Sequence, residues 1–151
     1  MSQRPSDVMR AWFERVWCNN DHDCIDEMFA DDGIATGLPG GDALQGPDGF
    51  RSFFHGMNAT FDSIHVEVLD AVDEGERCYT RCRATLGFQN RSVSLEGGCL
   101  STVRDGKIVH SHNCWDFMAM MQAMGALQDN AFRRAAMGVR FEECPPEAME
   151  E

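Results

Sequence analysis

Apolar positions along the chain fall into two regimes: helical spacing up to Phe61, then alternation from Ile64 to Trp115. In the first regime Val8, Met9, Trp12, Phe13, Val16 and Trp17 form one stripe at i, i+4 and i+5. That spacing predicts an amphipathic helix opening at Pro5 or Ser6. Asn19-Asn20-Asp21 interrupts it and offers an N-cap for a second, short helix. There Ile25, Met28 and Phe29 face inward, and Asp31-Asp32-Gly33 ends the helix. Ile34 to Leu38 reads as a short strand, and Pro39 to Gly46 as a loop broken by glycine and proline. Pro47 and Asp48 suit the first turn of a third helix, striped by Phe50, Phe53, Phe54, Met57 and Phe61.

In the second regime the period is two. Ile64, Val66, Val68 and Val72 oppose His65, Glu67, Leu69 and Ala71 in a first long strand, and Asp73 to Glu76 turns the chain. Cys78, Thr80, Cys82, Ala84, Leu86 and Phe88 then oppose Arg77, Tyr79, Arg81 and Arg83. Gln89-Asn90-Arg91 makes the next turn, and Ser92 to Arg104 a third long strand. Asp105-Gly106 is a two-residue hairpin signal, because a type I′ turn needs positive φ at both positions. The strand after it places Ile108, His110, His112, Cys114 and Asp116 on one face, with Val109, Ser111, Asn113 and Trp115 on the other, provided no bulge intervenes. A short helix follows, with Phe117, Met120, Met121 and Met124 at helical spacing and Gly125 as its stop. Asp129 to Met137 reads as a last helix. Helices segregated from an antiparallel sheet define the α+β class. Residues 1–140 are expected to form one domain, and 141–151, acidic and carrying Pro145-Pro146, a frayed tail.

Composition narrows the partners. The net charge is −12, from 25 acidic residues against 13 lysines and arginines. That balance argues against nucleic acid and anionic membranes, which reward a basic surface. No run reaches the ~18 apolar residues of a membrane span, and the N-terminus lacks a signal-peptide layout. A cytoplasmic home is the expectation. The cysteines (Cys18, Cys24, Cys78, Cys82, Cys99, Cys114 and Cys144) are odd in number and match no disulfide framework or zinc knuckle, so they read as reduced thiols.

Candidate chemistry gathers on the last strand. A face carrying two imidazoles, a thiol and a carboxylate makes a poor dry core, so it either meets water or lines a pocket. Asp116 can exchange protons if apolar surroundings raise its pKa, and can equally cap the helix that follows. His110 and His112, two apart on a strand, have a metal-ligand spacing, yet no further ligand is seen to converge on them. A hydrogen-bonding pair is the expectation, and no bound metal. The Tyr79, Arg81 and Arg83 face pairs economically with Glu67 or Glu96 across strands.

The aromatic first helix, Ile25-Asp26-Glu27-Met28-Phe29-Ala30-Asp31-Asp32 and Gly46-Pro47-Asp48-Gly49-Phe50 bring a family to mind. So does Asp105-Gly106-Lys107-Ile108-Val109 leading to Asn113-Cys114-Trp115-Asp116 and Gly125. Over residues 6–125 the chain resembles the SnoaL-like polyketide cyclases of the nuclear-transport-factor-like superfamily. It departs from them at Met120, Met121 and Met124, where the family carries leucines, and at Ala123, where it carries glutamine. The resemblance implies a cone-shaped α+β barrel, N-terminal helices packed on a curved, mostly antiparallel sheet, and a homodimer formed through the sheet. It implies acid/base chemistry of cyclase, isomerase or dehydratase type, without metal or organic cofactor, on a partly apolar oxygenated small molecule in an internal pocket. In the cyclases the aspartate closing the last long strand is the general acid/base, and by position it matches Asp116. His112 would orient it or share its proton. Trp12, Phe54, Met57, His110, Cys114 and Met120 would line the pocket. The rival expectations are a non-catalytic small-molecule-binding module and a structural dimerisation domain of the same fold.

Overall fold

A computed structural model describes residues 3–139. Helix α1 spans Pro5–Trp12, with Pro5 in the first turn, where its missing N–H costs nothing. Its start is also held from across the fold. The Asp73 carboxylate accepts from the Ser6 backbone N–H at 2.8 Å and from the Ser6 hydroxyl at 2.5 Å. Phe13–Cys18 continues the helix with π geometry. Wider turns put residues five apart on one side, and both Trp12 and Trp17 meet Phe50. The i+5 spacing in the sequence is the trace of that widening. Trp12 meets Phe50 edge-on at 4.9 Å, and Trp17 lies 5.4 Å from Phe54.

Helix α2, Cys24–Met28, is shorter than its sequence suggests. Strand β1, Phe29–Thr36, begins at once and takes in Asp31-Asp32-Gly33, expected as the helix stop. Its pairing with the last strand slips between Phe29 and Ile34, and the two aspartates face solvent there. Leu44–Gln45 forms a two-residue strand, β2, and Gly46–Thr60 forms α3. Four long strands follow: β3 Ser63–Glu74, β4 Arg77–Phe88, β5 Arg91–Arg104 and β6 Lys107–Trp115. Helices α4, Phe117–Ala123, and α5, Ala131–Ala136, complete the described chain. The tail expected at 141–151, with Cys144, lies outside the described residues.

The six strands form one curved, unclosed sheet in the order β2-β1-β6-β5-β4-β3. Only β1 and β6 run parallel. Asp105 and Gly106 have φ of 53° and 76°, the positive values their hairpin signal implied, and Gln89 and Asn90 in the other tight turn have 48° and 62°. The inner sheet face packs against α1, the π segment and α3 through Met9, Trp12, Phe29, Phe50, Cys82 and Ile108. Phe61, Ile64, Leu86, Val93 and Leu95 close the far end.

Two bulges reset the alternation. In β3 the pairing slips at Leu69, so Ala71 faces Thr80 and Val72 turns outward, 65% exposed. In β6 Ile108 pairs with Val103 but His110 with Thr102, which leaves Val109 as the extra residue. Every side chain beyond it changes face.

Candidate functional site

The bulge at Val109 decides what faces the interior. After it Ser111 and Asn113 are buried and Trp115 is half-buried, while His110, His112, Cys114 and Asp116 are exposed. The expectation that His110, His112 and Cys114 line a pocket is therefore corrected. They stand on the outer sheet face, and the residues assigned to that face stand inside. On the outer face His112 Nδ1 lies 2.7 Å from the Thr36 hydroxyl on β1. Asp116 caps α4: its Oδ1 accepts from the Ala119 backbone N–H at 2.9 Å. Among the described residues no three His, Cys, Asp or Glu side chains converge as a metal site.

Between the helices and the inner sheet face lies a cavity with about 80 Å³ of free space. Its walls are aromatic and aliphatic. All three tryptophans of the chain, Trp12, Trp17 and Trp115, line it. Trp12, Met57 and Met120 stand on the wall, while Phe54 packs behind it and Phe53 takes that place. Pro39 on the lining is exposed, which marks an opening there, and Leu38, Phe53, Met57, Phe117 and Met120 are half-buried. An apolar cavity of about 150 Å³ takes a benzene ring. A ring-bearing ligand thus enters only if the mouth yields, and methionine side chains yield easily.

Besides the indole N–H groups of the three tryptophans, the polar side chains on the wall are few: Ser111, Asn113 and the Cys99 thiol. Asn113 and Ser111 are joined to each other and to β1. Asn113 Nδ2 donates to the Thr36 carbonyl and to Ser111 Oγ, both at 3.1 Å. The Cys99 thiol lies 3.0 Å from Ser101 Oγ. Burial pushes the Cys99 thiol up, so it is a proton-bearing polar group and not a thiolate nucleophile. No Asp, Glu, His, Lys, Arg or Tyr side chain of the described residues is on this wall.

Ser111, Asn113, Trp115, Trp17 and Phe53 were not assigned to the pocket from the sequence. The available signal was the chemistry of the two faces. Two imidazoles and a carboxylate are cheaper in water than a dry face would allow, whereas Ser, Asn and Trp tolerate partial burial when hydrogen-bonded. Gly97, opposite Trp115, is a further sign, since a Cβ there would meet the indole at 2.6 Å.

Similar architecture recurs in solved structures. IdmH of Streptomyces antibioticus, a candidate polyketide cyclase, is 26% identical, with a TM-score of 0.71 over 82% of this chain and 99% of its own. A candidate SnoaL-like polyketide cyclase from Jannaschia sp. CCS1 is 19% identical, with a TM-score of 0.70 over 82% and 92%. An epoxide hydrolase of the LEH-like type from M. tuberculosis is 16% identical, with a TM-score of 0.68 over 89% and 96%. No curated protein matches the chain in sequence. The family model of the SnoaL-like polyketide cyclases matches residues 7–124, a span that holds the aromatic helices, the sheet and α4, and the chain belongs to that family.

Proposed function

We propose that the chain is a cofactor-free enzyme that takes a partly apolar, oxygen-bearing small molecule into this cavity and cyclises, isomerises or dehydrates it. One observation carries the reading: an aromatic and methionine wall with a short hydrogen-bonded chain at Ser111 and Asn113. Such a wall rewards flat apolar surface, and a few fixed polar groups set the orientation. Orientation alone lowers the barrier of an intramolecular ring closure, because the entropy of bringing the ends together is met on binding. Membership of the family supports turnover, and the resemblance to the cyclases supports proton transfer by Asp116. Asp116 sits between the cavity-lining Trp115 and Phe117. His112, on the opposite sheet face, has no part in this reading. The absence of a carboxylate or imidazole on the described wall favours one rival, a binding module that leaves its ligand unchanged.

The experiment is to denature freshly purified protein, identify the released small molecule by mass spectrometry, and return it to ligand-free protein. An enzyme yields a product of equal mass or lighter by one water, and Asp116→Asn lowers its rate ~10²-fold or more. A binder returns the molecule unaltered. A charged, hydrophilic ligand overturns both readings. Two further parts belong to the proposal. The chain is a homodimer through its outer sheet face, and it resides in the cytoplasm, which suits the free thiols of Cys24, Cys78, Cys82 and Cys99. No helix of the described residues is long and apolar enough to cross a membrane.

A further inference from the structure

The Asn113 carboxamide has only one arrangement open to it. A backbone carbonyl can only accept, so the nitrogen must face the Thr36 carbonyl, and its second proton goes to Ser111 Oγ. Both donors are thus spent on protein. The oxygen is on the other arm of the amide, and no described residue donates to it. Among the described residues no side-chain oxygen or nitrogen that is closed off from space lacks a partner. Asn113 Oδ1 is therefore open to the cavity that Asn113 lines. The Ser111 hydroxyl oxygen accepts from Asn113 Nδ2.

We infer that the inner wall of the cavity presents a fixed hydrogen-bond acceptor, Asn113 Oδ1, and so favours neutral ligands whose buried end carries a hydroxyl against that oxygen. A phenol, enol or alcohol donates its proton to that oxygen. A carbonyl or ether turns lone pairs toward lone pairs. A carboxylate adds a charge that no group on the wall offsets, and burying it costs far more than a lost hydrogen bond. Asn113 is then a specificity-determining residue, and its fixed orientation comes from β1 through the Thr36 carbonyl. The inference rests on the cavity being the ligand site.

Four probes of nearly one shape separate the possibilities: 2-naphthol, 2-methylnaphthalene, 2-methoxynaphthalene and 2-naphthoate. Binding is read from the three tryptophan indole N–H resonances, since all three rings line the cavity. A net hydrogen bond of roughly 0.5–1.5 kcal/mol predicts 2-naphthol about 2- to 12-fold tighter than its methyl isostere. The methoxy compound should gain nothing over the methyl one, and the naphthoate should not bind. Asn113→Leu should erase the naphthol advantage and keep the binding of 2-methylnaphthalene; Ser111→Ala should keep the advantage. If Asn113→Leu fails to fold, the wild-type and Ser111→Ala series decide alone. Equal affinity for naphthol and the methyl or methoxy probe overturns the inference, as does an advantage that survives Asn113→Leu. Indole resonances unmoved by all four probes, and also by phenol, whose single ring asks less of the mouth, instead overturn the cavity as ligand site.

Discussion

Burial changes what a side chain can do, and the thiols illustrate it. Burial raises Cys78 to about 12 and Cys82 and Cys24 to about 11, from an ordinary value of 9.0. Desolvation is the leading cause in each, because the folded interior disfavours the thiolate. The linkage has a definite sign. Unfolded chains release these protons near pH 9 and the folded protein only at pH 11 to 12. The stabilisation is therefore complete below pH 9 and is lost as pH rises through that window. Thermal melts should show a steady fall in Tm between pH 9 and 11, with a shallower slope in Cys78→Ala/Cys82→Ala. An unchanged slope would mean that other groups cause the alkaline loss. At neutral pH the same thiols should resist a thiol reagent that labels the exposed Cys114 at once.

At the scale of elements, β1 and β6 cooperate through backbone as much as through side chains. Gly37, just past β1, has φ of +76°, and a Cβ there would run into the Asn113 carbonyl oxygen. Gly37→Ala combines backbone strain of ~1–3 kcal/mol with a contact against backbone that cannot move aside. It should lower Tm by several degrees and blunt ligand binding, because it displaces the strand that carries Asn113. Gly56→Ala makes the same chemical change inside α3, where nothing lies within 4 Å. There it should stabilise by roughly 0.5–1 kcal/mol. Denaturant melts of the two variants test the contrast, and a shift of the same sign in both would refute it. The turns at Asp105-Gly106 and Gln89-Asn90, the inward set of β4 and the aromatic stripe of α1 were legible in the sequence. Each is fixed by residues within a few positions of one another. The phase of β6 was not, because the bulge at Val109 is set by pairing with β5 on one side and β1 on the other. The same holds for Leu69 and the outward turn of Val72. A period-two reading is sound between bulges and inverts across them, which is why the cavity wall and the outer face were exchanged beyond Val109.

At the scale of the whole molecule, the outward-turned residues acquire a meaning of their own. Val72, Tyr79, Leu100, His112 and Thr36 are register partners in turn, forming one continuous row across five strands on the outer face. Val72 is 65%, Tyr79 45% and Leu100 38% exposed. Beside the row, Arg83 pairs with Glu96 at 3.1 Å and with Glu67 at 4.0 Å, and Arg81 with Glu96 at 3.7 Å. A two-fold interface places a patch against its own copy, so a patch of one sign would repel itself. Here two arginines balance two glutamates, although the chain as a whole carries −12. In the proposed homodimer the row would supply the apolar centre and the paired charges a polar rim. Light scattering coupled to gel filtration should therefore give about twice the chain mass of 16.9 kDa. Leu100→Arg places an uncompensated charge at the centre of the row and should yield monomers that still bind ligand, since Leu100 faces away from the cavity. A wild-type monomer, or a dimer indifferent to Leu100→Arg, would remove the outer face from the assembly.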